Sequence, residues 1–264
     1  VIAPLMVLVR LLEKRKFNEI TVVETAKIES EKPFITVGLP DVGLVGPIAT
    51  SHIVQTLDMK EVGYFESDLF PPIIVVHKNE PKPQVRIFAK DNLVTIISET
   101  ILPVQAIYQL SKAITLWAKQ HNASFIVGVT GIAVPNRLEI EKPNVYGFGS
   151  SIEAKKELEK LKIQPFEEGI LVGVYALLVR NCMDEQQPNI TLLAESHVQF
   201  PDPGAAASTI EVLNSLFGVN VDVKSLLEKE EEIRIKAREL MRRTSEQMKA
   251  LRKVQEQELR GIYV

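Results

Sequence analysis

A single cysteine, Cys182, excludes an internal disulfide and fits a reducing cytoplasm. Net basic charge is missing too: 31 Lys and Arg stand against 34 Asp and Glu, so no positive field favours nucleic acid as a partner. No apolar run is long enough to span a bilayer, and no membrane association is expected. Val1 to Leu12 comes nearest, but it meets Arg10 and then Lys14-Arg15-Lys16, the reverse of a signal peptide's basic start. Metal chemistry lacks a ligand set. His52, His77, His121 and His197 are scattered, with none of the short spacings that hold a metal, and no cofactor is expected. The G-x-S-x-G elbow of a serine hydrolase is absent. The neighbours Ser51-His52 and Ser196-His197 do not replace it, because adjacent residues do not face each other on a helix and point to opposite faces of a strand. Cys182 falls at the end of a buried-looking helix and reads as a core thiol.

What is present is a strand that turns into a helix across glycines. Phe34 to Val37 is short, apolar and partly β-branched, and Leu44, Ile48, Ile53, Val54 and Leu57 then follow at helical spacing. Between them lies Gly38-Leu-Pro-Asp41-Val-Gly43-Leu-Val-Gly46. Free N–H groups at a helix start form an anion site, and glycines allow close backbone approach. The loop is therefore a candidate anion or ligand site through Gly38, Asp41, Gly43 and Gly46. It is not a nucleotide loop of known type. Pro47 and Ile48 follow Gly46 where a P-loop needs Lys and Ser or Thr, and only half of a G-x-G-x-x-G is present. Glycines at such a join also serve simple helix-strand packing, the plainer reading. Asp41 and Glu99 lie near strand ends, where open α/β sheets bind small molecules.

The rest of the chain alternates strand and helix. Strands are expected at Ile20–Val23, Val62–Phe65, Pro72–His77, Val85–Ala89, Leu93–Ser98, Phe125–Val129 and Asn189–Glu195. The turn-rich Lys78–Pro83 is expected to pair the third of these with the fourth as a hairpin. Helices are expected at Pro103–Lys119, Ile152–Leu161, Ile170–Cys182 and from Asp202-Pro203 to Phe217, the last opening on a cap residue and a proline. Gly147 to Ser151 reads as a second glycine-rich join. The predicted fold class is α/β, a mixed sheet flanked by helices on both faces, with a long C-terminal helix. The expected division is an N-terminal segment 1–19, an α/β domain 20–218, and a charged helix with its tail, 219–264.

That helix, Val223 to Arg260, contains neither Pro nor Gly. Leu226, Ile233, Ala237, Leu240, Met248, Leu251 and Val254 trace a broken apolar seam along it, the pattern of a helix that meets another chain. Gly261 then frees Ile262-Tyr263-Val264.

Taken together, Gly38 to Gly46, Pro71 to His77, Gly169-Ile-Leu-Val-Gly173 and Pro201-Asp-Pro-Gly-Ala-Ala206 resemble the proteasome assembly chaperone family, in particular its archaeal PbaB-like homologues. The resemblance covers most of residues 20–217. It implies a phosphorylase/hydrolase-like α/β fold without established chemistry, a cytoplasmic homo-oligomer, suggested to be a tetramer, and the 20S proteasome as partner. Ile262, Tyr263 and Val264 resemble the hydrophobic-Tyr-any motif with which proteasome activators dock between α-ring subunits. Without a Walker lysine, any such action is expected to be independent of ATP, and the chain is expected not to be an enzyme. The alternative expectation is a small-molecule-binding enzyme of the same fold working through the Gly38 to Gly46 loop.

Overall fold

The structure, a computed structural model, describes residues 13–198, 200–236, 238, 239, 242, 243 and 246. β1 (Glu13–Phe17) and β2 (Ile20–Glu24) form an edge hairpin, and β3 (Phe34–Gly38) leads through the glycine loop into α1 (Val45–Thr56). β4 (Lys60–Glu66) precedes a small separate hairpin of β5 (Val75–His77) and β6 (Glu80–Lys82), which is followed by β7 (Val85–Lys90) and β8 (Leu93–Ser98). Helix α2 (Val104–Gln120) crosses to β9 (Phe125–Ala133). Next come β10 (Val145–Gly149), α3 (Ile152–Lys160) and the two-residue β11 (Gln164–Pro165). The body closes with α4 (Gly173–Asp184), β12 (Asn189–Ser196) and α5 (Pro203–Phe217), and a short helix α6 (Lys224–Glu228) follows.

The main sheet has the order β1-β2-β4-β7-β8-β3-β9-β12-β10-β11. β8, β3, β9 and β12 are parallel, as expected of apolar strands buried on both faces, and β1, β2, β4 and β7 extend them as an antiparallel meander. One face is covered by α2 and α4: Leu110, Ile114 and Trp117 of α2 recur at helical spacing and pack into one core with Tyr175 and Leu178 of α4. The other face carries α1, α3, α5 and α6, with Ile48 and Ile53 of α1 in one cluster with Ile210 and Leu213 of α5. This is the mixed sheet with helices on both faces that the sequence predicts.

Several elements differ in detail. The segment Pro72–His77 does not join the main sheet. β5 pairs with β6 inside the stretch read as a turn, while β7 pairs with β4 and β8. Pro71, Pro72 and Pro81 lack the N–H a central ladder needs, which leaves this excursion as a two-stranded flap. The glycine-rich join at 147 is a strand, β10, in which Gly147 and Gly149 make room for Leu158 and Ala154 of α3. Helix α4 begins at Gly173 and not at Ile170. Gly173 has φ +74°, and the preceding Ile170 and Val172 are exposed. The C-terminal helix breaks at Lys229, after which residues 230–236 are helical again. The break lets Leu226 bury against the α1 and α5 side while Ile233 packs on the same cluster. The residues at 238, 239, 242, 243 and 246 are also helical, whereas Ile262, Tyr263 and Val264 lie outside the described residues, as does the apolar stretch Val1 to Leu12.

The antiparallel half is tied to α2 by a buried carboxylate. Trp117 Nε1 donates to Glu24 Oε1 at 2.8 Å, and His121 Nε2 lies 2.9 Å from the same oxygen. Burial opposes the charged form of Glu24, but these hydrogen bonds and the imidazole outweigh it and hold the carboxyl below its usual 4.5. A depressed native pKa contributes stability that is present above 4.5 and is lost as the pH falls through the native value. Urea unfolding of the native chain is therefore expected to show stability falling more steeply on acidification below pH 4.5 than it does in Glu24→Gln. Parallel acid profiles for the two proteins contradict this.

Candidate functional site

The chain leaves β3 towards β4, on one side of the sheet, and leaves β9 towards β10, on the other. A crevice at the carboxyl ends of β3 and β9 is thus the topological switch point of the fold. Asp41 lies in it. Thr130 of β9 donates from Oγ1 to Asp41 Oδ2 at 2.6 Å, and burial raises the Asp41 pKa against the opposing hydrogen bonds from Thr130 and the Val42 N–H. Tyr175, fully buried on α4, fastens the strand exit. Leu39 N donates to its hydroxyl oxygen at 2.9 Å, and that hydroxyl lies 3.2 Å from Val37 O and 3.1 Å from Leu39 O. Burial, ahead of the nearby Asp41 charge, pushes the phenol pKa well up, so Tyr175 stays a neutral staple.

The glycines of the loop are filled by protein. A Cβ on Gly38 would lie 2.1 Å from Thr50 Oγ1, one on Gly43 1.8 Å from Ser196 Oγ, and one on Gly46 2.4 Å from Val129 O. Gly43 also has φ +62°, in the short 3-10 turn Val42–Leu44 that delivers the chain to α1. Close packing of loop, helix and sheet accounts for all three glycines. The loop serves as a joint between β3 and α1, and Asp41 is the ionisable group it carries.

Of the other candidates, His52, His77 and Glu99 line one cavity with Pro40 and Leu44 of the loop. Glu99 meets His77 Nε2 at 2.7 Å and Arg86 at 3.4 Å, on the flap side of the fold, while Asp41 turns to Thr130. His52 Nε2 meets the carbonyl of Asp222 at 2.7 Å and so helps anchor the turn into α6. Ser196 reaches only the carbonyl of His197, at 3.4 Å. Cys182 is buried beside Thr115, and burial pushes its thiol up to about 12, which removes it as a nucleophile at neutral pH. Among the described residues no three His, Cys, Asp or Glu side chains gather as a metal site, and no helix is long and apolar enough to cross a membrane.

The helical residues 230–236 lie along α1, and the space between them is a cavity of about 350 Å³. Leu44, Ile48, Leu226 and Ile233 give it apolar walls, and His77 and Glu99 line it as well. Farther on, the guanidinium of Arg238 stacks 4.5 Å from the ring centroid of Phe200, in the loop that follows β12. The helix therefore runs from the Asp222 turn to the loop after β12, at the edge where the parallel strands end.

The chain belongs to the PAC2 family, whose family model matches residues 35–241. An uncharacterized protein of Methanocaldococcus jannaschii is 32% identical over 231 residues, covering 88% of this chain and 94% of that protein. Among solved structures, Pyrococcus furiosus PbaA, an archaeal homolog of proteasome-assembly chaperone, superposes with a TM-score of 0.79 at 30% identity, covering 87% of this chain and 99% of PbaA. Pyrococcus furiosus PbaB, an archaeal proteasome activator, shares the fold with a TM-score of 0.69 at 23% identity, over 90% of this chain and 99% of PbaB. The family expected from the motif order is the one found.

Tyr175, Thr130 and the buried pair of Arg137 with Asp202 were not marked by the sequence. Tyr175 lies 136 residues from the backbone it holds, and nothing in its local spacing announces the contact.

Proposed function

We propose that this chain is an ATP-independent, cytoplasmic proteasome-binding protein that forms a homo-oligomer and docks on the 20S α-ring through Ile262, Tyr263 and Val264. The observation that carries this reading is the C-terminal helix, whose described residues reach the Arg238–Phe200 contact and are exposed at Arg242, Arg243 and Glu246. The likeness to PbaA, at 30% identity over nearly all of that protein, supports a role in handling proteasome subunits or the assembled particle. The packed glycine loop supports a binding role over an enzymatic one, since contacts with Thr50, Ser196 and Val129 account for its three glycines without a ligand. One docked tail is a weak ligand, whereas several linked tails raise avidity by roughly 10²–10⁴.

A second reading, a small-molecule site at the switch point, rests on Asp41, whose carboxyl pKa burial raises beside Thr130. Co-purification with 20S proteasome separates the two. Asp41→Ala is expected to retain proteasome binding, while deletion of residues 262–264 removes it. The opposite pattern would move the function to the crevice.

A further inference from the structure

The cavity beside α1 opens at the carboxyl ends of two parallel neighbours. Of its lining residues, Pro40 follows β3 and Glu99 directly follows β8, the strand with which β3 pairs. Open α/β sheets hold small molecules at this edge. The volume of about 350 Å³ falls within the range of ligand pockets. An apolar cavity of about 150 Å³ holds benzene, so this one has room for a body of roughly ten heavy atoms. Its walls come from the glycine loop, α1, the flap, α6 and the helical residues 230–236, and Leu44, Ile48, Leu226 and Ile233 make them apolar.

Two charged side chains line this space, and they differ in kind. Lys236 is 73% exposed and pairs with Glu232 one turn back on its own helix, which keeps its charge in water. Glu99 is drawn in, with its side chain 19% exposed. Its Oε2 accepts from His77 Nε2 at 2.7 Å, and its Oε1 lies 3.4 Å from Arg86 Nη2. Arg86 stands behind the wall and is shared with Glu61, at 4.0 Å. A carboxylate has about four acceptor positions, and these two contacts leave room for another donor. The cavity therefore combines an apolar body with one anionic, accepting end.

We propose that this cavity binds a small primary amine with an apolar body, the ammonium group against Glu99 and the carbon skeleton along Leu44, Ile48, Leu226 and Ile233. An ammonium group makes a charge-assisted hydrogen bond to the carboxylate, whereas an alcohol of the same shape makes a weaker one and an acid meets a like charge. The site is separate from the tail and from Asp41, which turns to Thr130, so its occupancy is measured with no proteasome present.

Calorimetric titration of the full chain with 2-phenylethylamine, 2-phenylethanol and phenylacetate compares a cationic, a neutral and an anionic head on nearly the same body. The amine is expected to bind once per chain with a Kd of about 1 mM or below. The alcohol is expected to bind about tenfold more weakly, and phenylacetate not at all over the same range. Glu99→Gln is expected to bring the amine down to the level of the alcohol. Ser51→Phe, which places a ring in the cavity from α1 and keeps the Glu99 contacts, is expected to abolish binding of both with an unchanged circular dichroism spectrum. This second variant keeps the test decisive if Glu99→Gln does not fold. The proposal is overturned if the amine does not bind at millimolar concentration, if phenylacetate binds as well as the amine, or if either variant, folded, binds the amine as the native chain does.

Discussion

Removing Ile262, Tyr263 and Val264 is expected to lower the apparent affinity for 20S proteasome by at least about 10²-fold while the unfolding midpoint and the oligomer mass stay where they are. The size of the effect follows from multivalency: linked tails multiply a weak contact by roughly 10²–10⁴, and removing all of them returns the system to whatever the body alone contributes. The absence of an effect on folding follows from the core, whose two clusters are built from residues 17–233. Tyr263→Ala alone is expected to account for most of the loss, since a docked aromatic fills an apolar slot and gives its hydroxyl to a partner. Surface plasmon resonance on immobilised proteasome reads both variants. A truncated chain that binds as well as the intact one would place the contact on the body.

The largest expected loss of stability comes from a pair far from the tail. Arg137, in the short turn Arg137–Glu139 after β9, donates from Nε to Asp202 Oδ2 and from its Nη2 to Asp202 Oδ1, each at 2.8 Å, and from Nη1 to the Ile140 carbonyl at 2.6 Å. Asp202 is 1% exposed and Arg137 7%. The same carboxylate caps α5 through the Ala205 N–H at 2.9 Å and accepts from the His197 N–H at 3.2 Å. Arg137→Ala leaves a buried carboxylate without its cation and is expected to destabilise the chain by about 3–5 kcal/mol. Asp202→Ala removes the cap as well and strands the guanidinium, so its cost is expected to be at least as great. Replacing both together is expected to cost less than the sum of the two single changes, because no unpaired charge then remains in the interior. Equilibrium unfolding in urea measures all three. A loss below about 1 kcal/mol for Arg137→Ala would mean that water reaches the site and screens the pair, as at a surface ion pair.

What the sequence made legible follows the range of each interaction. The β3–loop–α1 unit was readable because its signals are local: β-branched residues, then glycines, then helical spacing. The cap of α5 was readable for the same reason, Asp202 accepting from Ala205 N within one turn. Strand β10 was not, since its glycines suggest a loop until α3 is seen lying across them. Ile170 and Val172 read as helix because they are apolar, yet they precede Gly173 with its positive φ and stay in solvent. At the site the limit was sharper. Asp41 was identifiable from its place after a strand, but its partner Thr130 lies 89 residues away and the Tyr175 staple farther still. The role of the loop glycines as packing contacts depends on Thr50, Val129 and Ser196, which only the fold brings together.

The most direct test of the account is the binding of the intact chain to purified 20S proteasome with no nucleotide present. Saturable binding is predicted, competed by a free peptide ending in Ile-Tyr-Val only at roughly 10²–10⁴ times the concentration at which the whole chain competes with itself. Absence of binding by the intact chain at micromolar concentration would contradict the account.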